Sequence, residues 1–158
     1  MELTNTSRFD IMPNETYVTP DWVWQALYDF NPKFKRAIDP CPVDYKIDWL
    51  DYKWKPTQYV ATNPPFSHST LMAEYFLDML IDKEIAGFAL LLPHEWDCAA
   101  KRAPICACVD TKLVLNKRIK WDNLEHTSNP KKHHAWYIWS QNEQKLSENQ
   151  YWPYMFYE

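Results

Sequence analysis

The apolar run from Ala86 to Pro93 (A-G-F-A-L-L-L-P) constrains the fold of this chain more than any other stretch. An uninterrupted apolar run of this length predicts a strand that is buried on both faces of a sheet. Such a strand needs helices above and below it. We therefore expect an α/β fold, with a mostly parallel sheet and helices on both of its faces.

Helix and strand patterns alternate along the rest of the chain, as an α/β fold requires. Thr19-Pro20 is typical of a helix start, with Thr as the N-cap and Pro as the first helical residue, and Asn31-Pro32 predicts the end of that helix. Apolar residues at helical spacing predict a second helix over 69–82. The other predicted elements are strands at 36–39, 59–62, 86–93, 112–115 and 135–139 and a helix around 95–103.

One domain is the expected organisation of the chain. A length of 158 residues suits a single domain, and no repeat, low-complexity tract or linker divides it. Residues 1–16 are predicted to form an irregular arm, and 17–158 to form the domain.

Glycine occurs once in the chain, as Gly87 within the predicted strand 86–93. Phosphate-binding loops of the Walker or dinucleotide type need several glycines, because their backbone approaches the ligand closely. The composition therefore excludes P-loop NTPases and ordinary NAD-binding enzymes.

Cysteine usage and hydropathy favour a cytoplasmic protein. The first residues lack the apolar core of a signal peptide, and no run approaches the roughly 20 apolar residues of a membrane span. We therefore expect reduced thiols and no membrane contact. His94, Cys98, Cys106 and Cys108 have the spacing H-x3-C-x7-C-x-C, which fits no common zinc pattern, so no metal site is expected. The four cysteines are Cys41, Cys98, Cys106 and Cys108.

The formal net charge of −4 does not by itself indicate a nucleic-acid-binding protein, but the charge is unevenly distributed. The segment 117–134 is locally basic, and a basic patch can bind phosphates on an acidic chain. A solvated charged loop is the alternative interpretation. The basic residues of this segment are Lys117, Arg118, Lys120, Lys131 and Lys132.

Asp39 and Asn63 each stand at the end of a predicted strand. Ligands of open α/β sheets bind at the carboxyl ends of the strands, so both residues are expected to open onto one crevice. Asn63 begins the turn N-P-P-F, which is rich in acceptors and poor in donors because proline has no N–H. The Asn63 side chain and the Pro64 carbonyl suit a substrate amino group, and the Phe66 ring offers a flat face to a planar base. The alternative is a structural turn followed by a core aromatic.

N-P-P-F resembles the [D/N/S]-P-P-[Y/F/W] motif of S-adenosylmethionine-dependent amino-methyltransferases. More closely, the chain resembles the short phage-type DNA N6-adenine methyltransferase (Dam-like) family over residues 17–140. The matching segments, in order, are Y-V-T-P-D-W (17–22), A-I-D-P-C-P (37–42), D-W-L-D-Y-K-W (48–54), N-P-P-F-S (63–67), L-L-P (91–93) and L-N-K-R-I-K-W (115–121). The resemblance implies a Rossmann-like class I methyltransferase fold with an antiparallel edge strand.

The resemblance also implies methyl transfer from S-adenosyl-L-methionine to the N6 amino group of an adenine flipped out of DNA. The implied catalytic residues are Asn63, Pro64, Pro65 and Phe66. The implied cofactor-binding residues are Tyr17, Thr19, Pro20, Asp39, Pro40, Asp48 and Asn63. The basic residues of 117–134 named above would contact DNA. So small a DNA-contacting region leaves a homodimer open, and a phage-encoded enzyme would act in the host cytoplasm.

Two alternatives stay open at this point. N-P-P-[Y/F] motifs also belong to enzymes that methylate amines of RNA or of a glutamine side chain. The segment D-P-C-P-V-D-Y (39–45) lacks the glycine-rich loop that many of these enzymes place beneath the cofactor. This lack and the net acidity favour a catalytically inactive binding protein, such as a phage factor that interferes with host methylation, whereas the intact N-P-P-F favours an enzyme.

Overall fold

The computed structural model describes residues 18–41, 48–121, 132–141 and 148–152. The predicted arm at 1–16 lies outside the described residues. The same holds for Tyr17, a predicted cofactor-binding residue, and for Lys131, a predicted DNA contact.

Helices and strands alternate over residues 21–115, with short 3-10 helices between them, and two more described strands follow. The helices are Asp21–Phe30 (α1), Ser69–Ile81 (α2) and the short Ala103–Cys106 (α3). The strands are Tyr59–Thr62 (β1), Gly87–Pro93 (β2), Thr111–Leu115 (β3), His134–Ser140 (β4) and Glu148–Trp152 (β5). The 3-10 helices are Pro32–Arg36, Phe66–His68, His94–Cys98 and Ala100–Arg102.

The strands form one five-stranded mixed sheet in the order β1-β2-β4-β3-β5. β1 pairs with β2 and β3 with β5 in parallel, whereas β4 runs antiparallel to both β2 and β3. The predicted antiparallel strand is present, but its predicted position at the edge is wrong: β4 is central, and half of the pairings are therefore antiparallel. Apolar residues on both faces of a strand indicate its burial but carry no information on its direction.

Helices cover both faces of the sheet, as predicted. On one face, α2 packs its Phe76 against Phe88 of β2, and the Phe88 and Trp139 rings stack with centroids 4.4 Å apart. On the other face, α1 buries Val23, whose carbonyl accepts a hydrogen bond from the Trp136 indole at 2.9 Å. The alternation of side chains along each strand supplies both layers, so the α/β architecture follows from the sheet being apolar on both sides.

The first helix begins one residue later than predicted, and its cap differs. Pro20 occupies the N-cap position with an extended backbone (φ −61°, ψ 151°), and no side chain caps the helix. The hydroxyl of Thr19 instead accepts a hydrogen bond from the side chain of Asn63. The predicted end of the helix is confirmed, because Asn31 is extended and Pro32 opens a 3-10 helix.

Two other predicted elements are shorter than expected. The strand at 36–39 is reduced to an isolated parallel bridge between Ile38 and Val60. The helix around 95–103 is replaced by two 3-10 helices, followed by α3 with Pro104 in its first turn. A proline is tolerated only at the start of a helix, because further along its ring clashes with the preceding turn, and Pro104 therefore delays the α-helix to Ala103.

The only glycine in the sequence lies where the backbone has close neighbours. A Cβ atom on Gly87 would lie 3.0 Å from Cε1 of Tyr59 and 3.1 Å from the carbonyl oxygen of Trp139. The missing side chain thus allows β2 to pass tightly between the Tyr59 ring and β4.

Candidate functional site

The carboxyl-end edge of the sheet gathers polar residues from separate parts of the chain. Asp39 follows the bridge at Ile38, Asn63 follows β1 and His94 follows β2. Because β4 runs in the opposite direction, its first residue, His134, pairs with the last residue of β2 at this same edge.

Asn63 is held by a distant segment of the chain. Its amide Nδ2 donates a hydrogen bond to Oγ1 of Thr19 at 3.2 Å, which joins the T-P segment to the N-P-P-F turn. Because Nδ2 of Asn63 bonds to Thr19, Oδ1 of the same amide faces away from Thr19. Within 18–41, 48–121 and 132–141, no donor bonds to Asn63 Oδ1 or to the Pro64 carbonyl oxygen. The turn thus presents two neighbouring hydrogen-bond acceptors.

Asp39 is fixed close to Asn63 through the end of β1. Its Oδ1 accepts hydrogen bonds from Thr62 Oγ1 at 2.6 Å and from the backbone N–H of Cys41 at 2.9 Å. Thr62 directly precedes Asn63 in the chain, so one strand end positions both polar side chains. The second bond closes the D-P-C turn in the way that aspartates commonly do.

A cavity of about 480 Å³ opens beside Asp39, and we call it the acidic cavity. Its lining combines two carboxyl groups with three aromatic rings. Burial raises the pKa of Tyr28, and the nearby Asp39 and Asp21 raise it further, so the phenol stays protonated. The lining residues are Asp21, Trp24, Gln25, Tyr28, Phe34, Ala37, Asp39 and Ala61.

The N-P-P-F turn buries its prolines and exposes its ring. Pro64 and Pro65 are buried, whereas Phe66 is 52% exposed. The Pro65 carbonyl accepts a hydrogen bond from the His68 N–H at 2.9 Å, and Ser69 Oγ donates one to the Phe66 carbonyl at 2.9 Å. Phe66 is therefore not a core aromatic, so that part of the alternative interpretation is wrong.

A second cavity, of about 430 Å³, lies beside the Phe66 ring, and we call it the basic cleft. Its lining contains three cationic side chains, two arginines and one lysine, and a single carboxyl group, that of Glu95. The lining residues are Phe66, Pro93, His94, Glu95, Trp96, Arg102, Arg118, Lys132 and His133.

Arg102 is the residue of this cleft that the sequence did not reveal. Its Nε donates to Thr70 Oγ1 at 3.1 Å and its Nη1 to the Trp96 carbonyl at 2.9 Å. Its Cζ lies 4.7 Å from the centroid of the Trp96 ring and 5.8 Å from that of Phe66. No local motif marks Arg102, because its neighbours in the cleft come from segments far away in the sequence.

The predicted DNA-contacting residues are divided between the cleft and the surface beside it. Arg118 lines the cleft and donates from Nε to His133 Nε2 at 3.2 Å, and the Lys132 ammonium lies 5.8 Å from the Phe66 ring centroid. Lys117 lies outside the lining, with its ammonium 5.5 Å from the Trp22 ring centroid, and Lys120 is exposed.

A buried ionic network supports the segment that follows β2. Lys112 is buried, and its ammonium donates to Asp97 Oδ2 and to the His94 carbonyl, each at 2.9 Å. The hydroxyl of Tyr137 donates to the same carbonyl at 2.9 Å, and burial strongly raises the pKa of that phenol. Because the buried charge is paired, this network holds the Pro93–His94 wall of the basic cleft in place.

The structure brings some of the predicted cofactor-binding residues together at the sheet edge but does not bring Asp48 to them. Thr19, Asp39 and Asn63 meet at the sheet edge through the bonds described above, and Pro40 is buried next to Asp39. Asp48 instead caps its own loop, where its Oδ1 accepts from the Leu50 N–H at 3.2 Å.

None of the four cysteines forms a disulfide. Within the described ranges, no three His, Cys, Asp or Glu side chains are grouped closely enough to hold a metal ion. No described helix has the length and apolar character needed to cross a membrane.

Comparisons of the chain with protein-family models, with curated proteins and with solved structures found no match.

Proposed function

We propose that this protein is an S-adenosylmethionine-dependent methyltransferase that modifies the N6 amino group of adenine in DNA. The observation that carries the proposal is the Thr19–Asn63 hydrogen bond of 3.2 Å. This bond orients the Asn63 amide at a strand end, next to an exposed Phe66 ring. An oriented acceptor beside a stacking surface suits the amino group of a planar base.

The two acceptors of the turn define what Asn63 and Pro64 do in the proposed reaction. An adenine flipped from its stack places its ring against Phe66 and donates its N6 hydrogens to Asn63 Oδ1 and the Pro64 carbonyl. These hydrogen bonds draw the nitrogen lone pair out of conjugation and aim it at the methyl group. Since Thr19 and the buried Pro65 hold the turn beforehand, little reorganisation is needed during the reaction.

No strong general base is needed for this transfer. The N6 amine is neutral and has its own lone pair, so no side chain has to remove a proton before transfer. Bound S-adenosylmethionine would supply the methyl group with its sulfur as the leaving group, and the N6 proton would pass to water afterwards. Catalysis therefore consists mainly of orientation and dipole placement, which Asn63 and Pro64 provide.

The acidic cavity fits the proposed cofactor. S-adenosylmethionine, when bound, supplies an electrophilic methyl group on a positively charged sulfonium. Asp39 complements the positive charge of the methionine portion, and the rings lining the cavity offer packing surfaces for an adenosine. Thr19 bonds to Asn63, whose neighbour Thr62 bonds to Asp39, and this chain of contacts supports a role for Thr19 and Pro20 at the methionine end of the cofactor. Pro40, which directly follows Asp39, is a further proposed contact. Tyr17 and Asp48 stay predicted contacts for the cofactor.

The sheet is compatible with a class I methyltransferase fold. β1, β2, β3 and β5 run in one direction, and β4 alone is reversed, so the carboxyl ends of four strands meet at one edge. That edge is where an α/β sheet of this kind binds its ligands.

DNA contact is proposed for the basic residues in and around the basic cleft. Arg118 and Lys132 line the cleft, and Lys117 and Lys120 lie nearby in sequence, with Lys131 next to Lys132. Contacts of lysines and arginines with phosphates release counterions, so binding should weaken steeply with salt. A homodimer stays a prediction, and analytical ultracentrifugation with and without duplex DNA tests it.

The direct test supplies tritiated S-adenosylmethionine with unmethylated duplex DNA, RNA and a glutamine-containing peptide in parallel. We expect label in N6-methyladenine of the DNA. Label in the RNA or the peptide would select one of the alternative amino-methyltransferases. Binding of the cofactor by calorimetry without transfer to any of the three would contradict the enzyme and favour the inactive binding protein.

A further inference from the structure

The Asn63 acceptors suit the amino group of a nucleotide and that of a neutral side chain equally. The positive charge of the basic cleft favours the nucleotide. We infer that Arg102 contacts a backbone phosphate of the strand whose base lies against Phe66, and that this contact selects nucleic acid over uncharged amines. The inference rests on the proposed function for the identity of the base.

Arg102 is held rigidly before any substrate arrives. Its guanidinium is fixed at Nε by Thr70 and at Nη1 by the Trp96 carbonyl, and its Cζ lies over the Trp96 ring, 4.7 Å from the centroid. Among the described residues, Nη2 has no hydrogen-bond partner. The anchored guanidinium can donate a hydrogen bond from Nη2 to an anion. Little side-chain entropy is lost on binding, because the other two nitrogens are already held.

The charge of Arg102 is not neutralised within the described chain. No carboxylate there forms an ion pair with it, whereas the neighbouring Asp97 is already paired with Lys112 at 2.9 Å. Arg118 and Lys132 add further positive charge to the same cleft, against the single carboxyl of Glu95. An uncompensated cation in a concave, positively charged site attracts anions.

The ring and the cation are close enough for one nucleotide to touch both. The Arg102 Cζ lies 5.8 Å from the Phe66 ring centroid, and the ring is half exposed to the cleft. An aromatic surface next to a cationic groove is the combination that binds bases and phosphates of single-stranded segments. A glutamine side chain would use the Asn63 acceptors but would bring no anionic group to Arg102.

Arg102 also supports Trp96, so the test must separate a phosphate contact from a structural role. The measurement is the affinity of the protein for a short deoxyadenosine oligonucleotide, compared with the same oligonucleotide carrying uncharged methylphosphonate linkages. We expect the natural oligonucleotide to bind at least about tenfold more tightly in the wild type. Equal affinities would overturn the inference, and this comparison needs no variant.

Variants then assign the preference to Arg102. Arg102→Gln should remove most of the ratio between the two affinities, and Arg102→Lys should keep only part of it. Lys101→Gln is the matched control, because it removes one positive charge from the adjacent exposed residue outside the cleft lining. An unchanged ratio in a folded Arg102→Gln protein, or an equal loss in the control, would contradict the assignment.

The outcomes also separate this inference from the proposed function. Binding is measured without cofactor and methyl transfer in a separate assay, so phosphate preference without transfer would reject the enzyme but keep the phosphate contact. Transfer to adenine with equal affinity for both oligonucleotides would keep the enzyme and reject the phosphate contact. Displacement of the oligonucleotide by an uncharged glutamine peptide would reject the inferred selectivity.

Discussion

The acidic cavity and the basic cleft lie near the same sheet edge and differ in charge. Both are lined with aromatic rings, but Asp21 and Asp39 line the first, whereas Arg102, Arg118 and Lys132 line the second. The N-P-P-F turn is connected to both, through Thr62 on one side and Phe66 on the other. A formal net charge of −4 for the whole chain therefore conceals one site suited to a cationic ligand and one suited to an anionic ligand.

The largest expected effect comes from the turn that connects the two cavities. Asn63→Ala removes one oriented acceptor, and we expect methyl transfer to fall about 10²–10³-fold, the range found when one preorganised hydrogen-bond partner is lost. Affinity for cofactor and for DNA should change little. Transfer kinetics and calorimetry check this, with Asn31→Ala as a control far from the turn. Lost cofactor affinity with normal transfer kinetics would contradict the role given to Asn63.

A second prediction concerns the effect of acid on His134, the first residue of β4. Burial lowers the pKa of His134 from 6.5 to about 4. Unfolding therefore lets this imidazole take up a proton between these pH values, so the free energy of unfolding falls as the pH drops from 6.5 towards 4. The loss approaches roughly 3 kcal/mol at the acid end.

Urea denaturation at pH 7 and pH 4.5 measures this loss. His134→Asn should flatten the pH dependence, whereas the same change at the exposed His94 should leave it intact. Equal pH dependence in both variants would show that other groups cause the acid sensitivity.

Removal of one carboxyl charge from the acidic cavity should weaken the binding of the cofactor. Asp39→Asn keeps an acceptor for Thr62 and for the Cys41 N–H, so the fold should persist. We expect about a tenfold loss of S-adenosylmethionine affinity and no change in oligonucleotide affinity. Asp29→Asn on the exposed side of α1 is the control, and calorimetry with both ligands is the measurement. A loss of oligonucleotide affinity instead would overturn the division between the cavities.

The smallest effect is expected at the ring beside the basic cleft. Phe66→Leu removes a stacking surface, and we expect oligonucleotide affinity to fall about fivefold to tenfold, near the lower end for one stacked base. Stability should hardly change, because Phe66 is half exposed. Phe30→Leu, at another exposed phenylalanine, is the matched control in a fluorescence titration. An equal effect of the two changes would show that Phe66 is not a base-contacting surface.

Local patterns predicted most of the described helices and strands. The helical spacing of apolar residues over 69–82 corresponds to α2, and the apolar run 86–93 corresponds to β2. Two of the predictions that failed depended on distant partners. The Thr19 hydroxyl bonds to Asn63 instead of capping α1, and the 36–39 strand is limited to one bridge with Val60.

The sequence by itself determined that the sheet is covered on both faces and that a donor-poor turn follows β1, because side-chain periodicity and the missing N–H of proline are local properties. Only the tertiary structure decided that β4 runs reversed through the centre of the sheet and that Arg102 reaches the Phe66 ring. These arrangements depend on which strands become neighbours, and hydrophobic burial, which is non-directional, favours many such neighbours equally. The sequence contains the charged residues of both cavities, but only the packing of the chain gathers acidic residues around one cavity and basic residues around the other.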